Sequence, residues 1–261
     1  ADHQSILKGQ DVVVHAANFS NFKKHAFGFG KRYYERLNVE GTINLAKQAS
    51  EAKVRRFVFL SSTKVFGESS LANFRLNSCS DTSPRTAYGV SKLETERQLF
   101  RLSEQTGMEV VIIRPPIVYG PKMRGSLKLL IRLFNLGLPL PFKGVTARRS
   151  FISVDNLSDL IFRCLNHPAA KNQIFLASDD QDISVEEFLS RLALTSKKPL
   201  RLFSIPEVVF LTIEKLFGNS SFFKSAFAPF EVDITKTKTL LDWQPSKTFD
   251  ECLQDYHKHW A

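Results

Sequence analysis

Tyr88 and Lys92 stand four residues apart, and the hydroxyl of Ser62 lies 26 residues upstream of Tyr88. On a helix, positions i and i+4 share one face, so Lys92 can lie beneath the Tyr88 phenol. A neighbouring ammonium favours phenolate, so we expect the pKa of Tyr88 to fall below its reference of about 10. Ser62 can orient a substrate alcohol that Tyr88 then deprotonates. Together the three residues predict a proton-transfer site.

The elements that must position these residues alternate along the first half of the chain. Continuous runs of β-branched and aromatic residues predict strands buried on both faces at 11–17, 56–60 and 109–113. Apolar residues at helical spacing predict helices at 33–53 and 87–105, the second of them ending at Gly107. This order indicates an α/β fold with a parallel sheet.

Ligands of parallel sheets bind at the carboxyl ends of the strands. Three such ends carry residues 15–17, 61–62 and 114–115. We therefore expect these segments to converge on one crevice with Tyr88 and Lys92. The polar stretch 67–86 is predicted to be a long loop, and loops of that length in compact domains are usually functional.

The pattern loosens beyond residue 120 and predicts a smaller second domain. Its predicted strands are 150–154 and 174–177, and its predicted helices are 127–136, 157–166 and 184–194. We expect Asp155 or Asn156 to cap the second of these helices, and Ser184 with Glu187 has capping-box spacing at the start of the third. The Phe-rich segment 205–230 is interrupted by proline and glycine, so it is predicted to be core of this domain rather than a membrane-surface helix.

Composition narrows the possible partners. Lys and Arg outnumber Asp and Glu by 36 to 26, giving +10, which suits an anionic partner. The positive charges occur as scattered pairs without a dense basic tract, so nucleic acid is not an expected partner. Three widely spaced cysteines indicate neither a zinc site nor a disulfide scaffold and favour a cytoplasmic location. Apolar runs are too short for membrane insertion, and no signal peptide is recognisable.

With these features in place, the chain resembles the extended short-chain dehydrogenase/reductases that act on nucleotide sugars. One matching segment is Ser-Ser-Thr-Lys-Val-Phe-Gly at 61–67, and another is Arg-Pro-Pro-Ile-Val-Tyr-Gly-Pro at 114–121. Seven segments follow the family's order along nearly the whole chain: 15–17, 38–42, 59–67, 88–92, 114–121, 149–155 and 233–245.

The resemblance implies a Rossmann-like doubly wound sheet with its N-terminal strands absent, joined to a smaller α/β substrate domain. Residues 1–120 would form a partial NAD(P)-binding domain that carries the catalytic residues. Residues 121–261 would mainly bind the nucleotide sugar, with some segments returning to the Rossmann core. A homodimer through a helix pair that includes the Tyr88 helix is the implied assembly.

The resemblance also implies roles for individual residues. Tyr88 would be the acid/base, Ser62 the catalytic hydroxyl that also contacts substrate, and Lys92 the residue that binds the nicotinamide ribose and tunes Tyr88. Arg149 would meet the diphosphate of the substrate, for which a forked guanidinium is suited; a surface arginine is the alternative. The positions implied to line the NAD or NADP site are Ala16, Ala17, Asn38, Ser61, Tyr88, Lys92 and Pro115.

Departures from the family pattern limit the reaction. Thr63-Lys64 replaces the Asp-Glu pair of the 4,6-dehydratases, so dehydration is not expected. Ile117 replaces an asparagine usual in UDP-galactose 4-epimerases, and 228–231 lacks the Arg-x-Gly-Asp of many members, which leaves the sugar open. The family's Gly-x-x-Gly-x-x-Gly loop, which cradles pyrophosphate, is not found, and Gly28-Phe-Gly30 does not replace it. We therefore expect this sequence to be a fragment that lacks about 50 to 60 residues of the mononucleotide-binding half.

Three functions follow from this pattern. The first is NAD(P)-dependent oxidoreduction at C4 of a UDP-sugar, as a UDP-hexose or UDP-N-acetylhexosamine 4-epimerase. The second is an NAD(P)H-dependent 4-ketoreductase of a UDP-4-keto-6-deoxy sugar in O-antigen and lipopolysaccharide synthesis, which the resemblance of 61–68 to surface-polysaccharide members suggests. The third is a non-catalytic relative of the fold, which the presence of all three site residues argues against.

Overall fold

The computed structural model describes residues 2–17, 30–71, 74–123, 125–205 and 227–260. In the first half the elements are, in order, α1 (Gln4–Leu7), β1 (Val12–His15), α2 (Gly30–Tyr34), a π-helical turn (Glu35–Glu40), α3 (Gly41–Glu51), β2 (Arg56–Leu60), a 3-10 turn (Thr63–Phe66), β3 (Arg75–Leu76), α4 (Ala87–Thr106), β4 (Glu109–Arg114) and β5 (Ile117–Tyr119). In the second half they are α5 (Ser126–Asn135), β6 (Arg149–Ser153), α6 (Val154–Asn166), β7 (Gln173–Leu176), β8 (Asp182–Ile183), α7 (Val185–Ser196), β9 (Glu231–Val232), α8 (Thr235–Leu241) and α9 (Phe249–Tyr256).

The central sheet has four parallel strands in the order β1-β2-β4-β7. The alternating pattern predicts the parallel strands β1, β2 and β4, whereas β7 comes from the half predicted as a second domain. Phe57, Val58 and Val111 are fully buried, because helices cover both faces of β2 and β4. The predicted burial of β1 is wrong in part, since Val14 is 41% exposed. Within the described residues β1 pairs only with β2, which makes it an edge strand.

Helix α4 forms as predicted. Its N-terminus is capped by the Thr86 side chain, which accepts a hydrogen bond from the backbone N–H of Gly89. It ends at Gly107, which adopts a left-handed conformation at φ 76°. The predicted helix at 33–53 differs, because a π-helical turn separates α2 from α3. This wider turn carries the buried residues Asn38 and Val39.

A second apolar cluster lies in the C-terminal half, where Tyr119, Phe151, Phe188 and Phe249 pack together. A small sheet of order β5-β6-β8 crosses it. Elements α6 and β7 instead pack in the cluster around Val58 and the central sheet. Of the Phe-rich segment, residues 206–226 lie outside the described residues, as does Gly28 of the Gly28–Gly30 segment.

Several boundaries differ from prediction. Strand β5 was not predicted, because the two prolines before it interrupt the apolar pattern. Strand β3 lies inside the stretch 67–86 that was predicted to be a loop, and it pairs with β9. Helix α6 begins at Val154 and is capped by Ser153, so the predicted cap at Asp155 or Asn156 is wrong. The Asn156 side chain instead binds the Asp179 carboxylate. The Ser184 hydroxyl caps α7 as predicted.

The three cysteines of the described residues are all free thiols. None of the helices in the described residues combines the length and apolarity required to cross a bilayer.

Candidate active site

Ser62 lies immediately after β2, where the backbone leaves the sheet. The flanking residues fix it, since Ser61 N donates to Ile113 O at 2.8 Å and Thr63 N donates to Pro115 O at 3.0 Å. The Ser62 hydroxyl caps the 3-10 turn and accepts from the backbone N–H of Lys64 at 3.2 Å. These bonds hold the Ser62 side chain at the carboxyl end of the sheet.

Tyr88 lies in the first turn of α4, with its phenol close enough to the Ser62 hydroxyl for that hydroxyl to lower the Tyr88 pKa. Gly89 permits this approach. A Cβ atom at Gly89 would lie 2.6 Å from the carbonyl oxygen of Lys64, which is closer than side-chain carbons come to backbone. The glycine therefore lets α4 rest against the 3-10 turn and brings the two hydroxyls together.

Lys92 is buried one turn further along α4, with 1% of its surface exposed. Its ammonium donates to the Leu60 carbonyl oxygen at 2.7 Å, lies 4.4 Å from the Phe59 ring centroid and lies 5.9 Å from the Tyr88 ring centroid. Burial lowers the pKa of Lys92 to about 7, with Glu96 opposing the shift. The Lys92 side chain can therefore exchange between the ammonium and the neutral amine near neutral pH.

The predicted depression of the Tyr88 pKa is wrong for the ligand-free protein. Burial raises the pKa of Tyr88 to about 12, the adjacent Ser62 hydroxyl opposes that rise, and Tyr34 adds a smaller upward effect. Helical spacing predicts that Tyr88 and Lys92 are neighbours, but it does not reveal how dry the site is. The phenol is accordingly a proton donor at neutral pH.

Asn38 supports α4 from the π-helical turn. It is buried, and its side-chain amide donates to the Ser91 hydroxyl at 3.2 Å. The Ser91 hydroxyl in turn donates to the Tyr88 carbonyl oxygen at 2.8 Å, and the Thr95 hydroxyl donates to the Asn38 carbonyl oxygen. Asn38 therefore fixes the backbone of the turn that carries Tyr88.

Ser61 faces away from Ser62. Its hydroxyl donates to the buried carboxylate of Glu96, which also accepts two hydrogen bonds from Arg114, at 3.0 and 2.6 Å. The side chains of Glu96 and Arg114 are 2% and 4% exposed. The end of β4 thus supports the site through a buried ion pair, and the Arg114 guanidinium does not face the crevice.

The end of β1 is the open side of the site. Ala16 and Ala17 are exposed there, so small side chains line the strand end next to Lys92. His15 is tied to the Thr42 hydroxyl at 3.0 Å and stacks on Phe59. Burial, with the charge of Lys92, lowers the pKa of His15 to about 4, so its ring is neutral.

A small cavity of about 80 Å³ adjoins Ser62 and is lined by Lys64, Arg149 and Phe230 among others. Arg149 is 4% exposed and donates to the Ala228 carbonyl oxygen, so the surface-arginine alternative is wrong. Burial lowers the pKa of Arg149 to about 10, and Glu68 opposes the shift. Pro116 lines this cavity, whereas Pro115 is buried and contributes its carbonyl to the bond with Thr63.

Sequence reasoning missed several contributors to the site. Tyr34 meets the Tyr88 ring edge-on, with 6.2 Å between centroids, and Glu68 acts electrostatically on both Lys64 and Arg149. Glu96 lies one turn after Lys92, and its i+4 spacing was the signal available. Within the described residues no cluster of His, Cys, Asp or Glu is arranged to hold a metal ion.

A parallel α/β sheet whose strand-end serine meets a helical Tyr-x-x-x-Lys pair defines a short-chain dehydrogenase/reductase. Residues 2–177 match the model of the NAD dependent epimerase/dehydratase family, and the chain belongs to that family of enzymes. UDP-glucose 4-epimerase of Vibrio cholerae is 41% identical over 251 residues, which are 96% of this chain and 76% of that protein. An uncharacterized UDP-glucose epimerase of Bacillus subtilis, YtcB, is 26% identical over 97% of this chain and 75% of its own length.

Solved structures share the fold. UDP-glucuronic acid 4-epimerase from Bacillus cereus, in complex with NAD, matches all of this chain and 75% of its own with a TM-score of 0.81 at 21% identity. RMD from Pseudomonas aeruginosa, complexed with NADPH, matches 96% of this chain and 81% of its own with a TM-score of 0.75 at 21% identity. The Rossmann-like fold and the use of a nicotinamide cofactor by this family agree with the sequence predictions.

Proposed function

We propose that this protein catalyses NAD(P)-dependent oxidoreduction at C4 of a UDP-sugar, as a UDP-hexose or UDP-N-acetylhexosamine 4-epimerase. The observation that carries the proposal is the placing of Tyr88 next to Ser62, with Lys92 buried 5.9 Å from the Tyr88 ring centroid. The name of the 41% identical relative, UDP-glucose 4-epimerase, supports the substrate class.

Ser62, Tyr88 and Lys92 have different roles in the proposed reaction. The Ser62 hydroxyl orients the C4 hydroxyl of the sugar, and Tyr88 in its phenolate form takes the proton of that hydroxyl and later returns it to the C4 oxygen. A protonated Lys92 stabilises the phenolate that this transfer requires, and its pKa of about 7 lets it supply that charge near neutral pH. The bound cofactor supplies hydride acceptance from C4 and hydride return to it.

The residues proposed to hold NAD or NADP fit such a group in different ways. The exposed methyl groups of Ala16 and Ala17 leave room at the end of β1, and Lys92 and Tyr88 lie beside that opening. Asn38, Ser61 and Pro115 are buried, so we assign them positioning roles behind the cofactor surface.

Arg149 is proposed to meet the substrate's diphosphate, because it is a buried guanidinium in the cavity that adjoins Ser62. We also retain the proposed division into a cofactor domain at 1–120 and a mainly substrate-binding part at 121–261. A homodimer through the α4 face and a cytoplasmic location complete the proposal. Exposed Val90 on α4 supports the dimer, and free thiols suit a reducing compartment.

A 4-ketoreductase is the second candidate. Lys64 lies in the cavity beside Ser62, at the position where dehydratases carry an acid, so it offers a positive charge to a C4 carbonyl. GDP-6-deoxy-D-mannose reductase of Pseudomonas aeruginosa is 26% identical over 75% of this chain and 66% of its own length.

Turnover separates these candidates. The protein is incubated with UDP-GlcNAc, UDP-GalNAc, UDP-glucose and a UDP-4-keto-6-deoxy sugar, each with and without added NAD(P)H, and products are resolved by chromatography. An epimerase interconverts the C4 epimers without added reductant, whereas a ketoreductase consumes one NAD(P)H per UDP-4-keto sugar. Conversion of none of these sugars or their 4-keto derivatives would contradict both candidates.

A further inference from the structure

Positive side chains that are scattered in the sequence meet around a cavity of about 470 Å³ beside α5, here called the basic cavity. They come from four segments. Lys122 follows β5, Lys128 and Arg132 lie on α5, Lys198 follows α7, and His259 lies after α9. None of the described residues that line the cavity is acidic.

Part of the wall of the basic cavity is apolar. Met123, Ile131, Leu136 and Trp260 contribute to it. The Trp260 indole N–H donates to the Gly120 carbonyl oxygen at 2.9 Å, which fixes the ring. The cavity therefore offers a charged side and an aromatic surface to the same occupant.

Asn135 links these two sides. Its side-chain oxygen accepts from the Lys198 ammonium at 2.8 Å, and its side-chain amide donates to the Trp260 carbonyl oxygen. A neutral group thus holds the Lys198 ammonium at the cavity wall and leaves its other N–H donors available.

The charges of the basic cavity are not neutralised from within the described part of the chain. None of Lys122, Lys128, Arg132 and Lys198 forms an ion pair with a carboxylate there. Like charges that converge on one cavity repel one another, and a bound anion converts that repulsion into charge-assisted hydrogen bonds.

We propose that the basic cavity binds a small ligand that carries a diphosphate next to an aromatic ring, such as a nucleoside diphosphate. Its volume lies within the range of about 300 to 1,000 Å³ typical of small-molecule sites. It shares no lining residue with the cavity beside Ser62, so the proposal does not depend on the proposed reaction. Strand β5 connects the two, because Ile117 lines one cavity and Pro121 the other.

Indole NMR gives a readout local to this cavity. The chain has two tryptophans, and the second, Trp243, is buried elsewhere with its indole N–H bonded to Asp159 at 2.8 Å. The protein labelled at the indole nitrogens is titrated with inorganic pyrophosphate and with UDP, and Trp260→Phe assigns the signals. We expect a saturable shift of the Trp260 signal while the Trp243 signal stays in place.

Variants test whether the charges cause that shift. Lys128→Glu with Arg132→Glu should raise the half-saturating concentration about tenfold or more. Lys122→Glu tests the same effect without altering α5. A matched pair outside the cavity, Lys8→Glu with Lys171→Glu, should change that concentration by less than about twofold.

Arg149→Met separates the two cavities, because it removes the proposed diphosphate contact near Ser62 and should leave the Trp260 shift intact. A Trp260 signal that ignores both pyrophosphate and UDP would overturn the proposal. So would a response restricted to anionic phospholipid vesicles or DNA, or an equal loss in the cavity variants and their matched pair.

Discussion

The Lys92 ammonium donates a hydrogen bond to the Leu60 carbonyl oxygen at 2.7 Å, which joins the helix of Tyr88 to the strand that leads to Ser62. A buried lysine is costly unless its donors are used, so this bond gives Lys92 a structural role besides its proposed chemical one. It also explains why the two hydroxyls of the site meet although they lie on different elements.

Replacing Tyr88 with Phe should abolish proton transfer while keeping the ring packed against Tyr34. We expect the turnover rate to fall by about two to four orders of magnitude, the usual contribution of a general acid/base. Epimer interconversion measures the rate, and thermal unfolding confirms that the fold is intact. Turnover within about tenfold of the parent protein would remove Tyr88 from its proposed role.

The neighbouring serines form a matched pair. Ser62→Ala removes the hydroxyl beside Tyr88, so activity should fall by about tenfold or more, and loss of the 3-10 turn's cap should cost only about 1 kcal/mol of stability. Ser61→Ala removes a partner of the buried Glu96, so the free energy of unfolding should fall by about 1 to 3 kcal/mol while activity per folded molecule is largely kept. The reverse pattern would show that the wrong serine has been assigned to the chemistry.

The Glu96–Arg114 ion pair should behave as a buried pair whose partners depend on each other. Glu96→Gln leaves the buried guanidinium without its counter-charge and should cost about 3 to 5 kcal/mol of stability. The double variant Glu96→Leu with Arg114→Met removes both charges and should cost less. Urea unfolding measures both, and a double variant less stable than Glu96→Gln would contradict the charge-burial explanation.

Lys92 should make stability depend on pH. The pKa of Lys92 is about 7 in the folded protein and has its ordinary value of 10.5 in the unfolded chain. Between these two pH values the unfolded chain therefore binds more protons than the folded protein. The free energy of unfolding therefore rises with pH between these two values. Below them the folded protein bears the whole cost of burying the charged ammonium. Lys92→Met removes the penalty, on the order of a few kcal/mol.

Urea unfolding of the parent protein and Lys92→Met, near pH 7 and near pH 10, isolates this contribution because other groups cancel. The advantage of Lys92→Met over the parent should be larger near pH 7 and should shrink towards pH 10. An advantage independent of pH would mean that Lys92 stays charged in the folded protein.

Local patterns were enough to predict the parallel sheet, helix α4 with its Gly107 end, and the meeting of Ser62, Tyr88 and Lys92. They were not enough where long-range packing decides. The Tyr88 pKa rises rather than falls because burial outweighs the opposing effect of the Ser62 hydroxyl. The π-helical turn around Asn38 and the ion pair of Arg114 depend on contacts between distant segments.

The placement of positive side chains likewise cannot be predicted from local sequence patterns. Lys122, Lys128, Arg132 and Lys198 are far apart or merely paired along the chain, and no basic tract marks them. Folding of α5 and the segments after β5 and α7 brings them to one cavity. A count of charges therefore predicts an affinity for anions, but only the tertiary structure indicates where an anion would bind.

Isotope retention tests the central claim most directly. UDP-glucose deuterated at C4 is incubated with the protein and NAD, without added reductant, and the product is analysed by mass spectrometry and NMR. Hydride removal from C4 and its return to the opposite face predict UDP-galactose that keeps deuterium at C4, with Tyr88→Phe forming almost none. Product that loses the deuterium to solvent, or no epimer formed from UDP-glucose or from the corresponding UDP-N-acetylhexosamine, would contradict C4 oxidoreduction by this site.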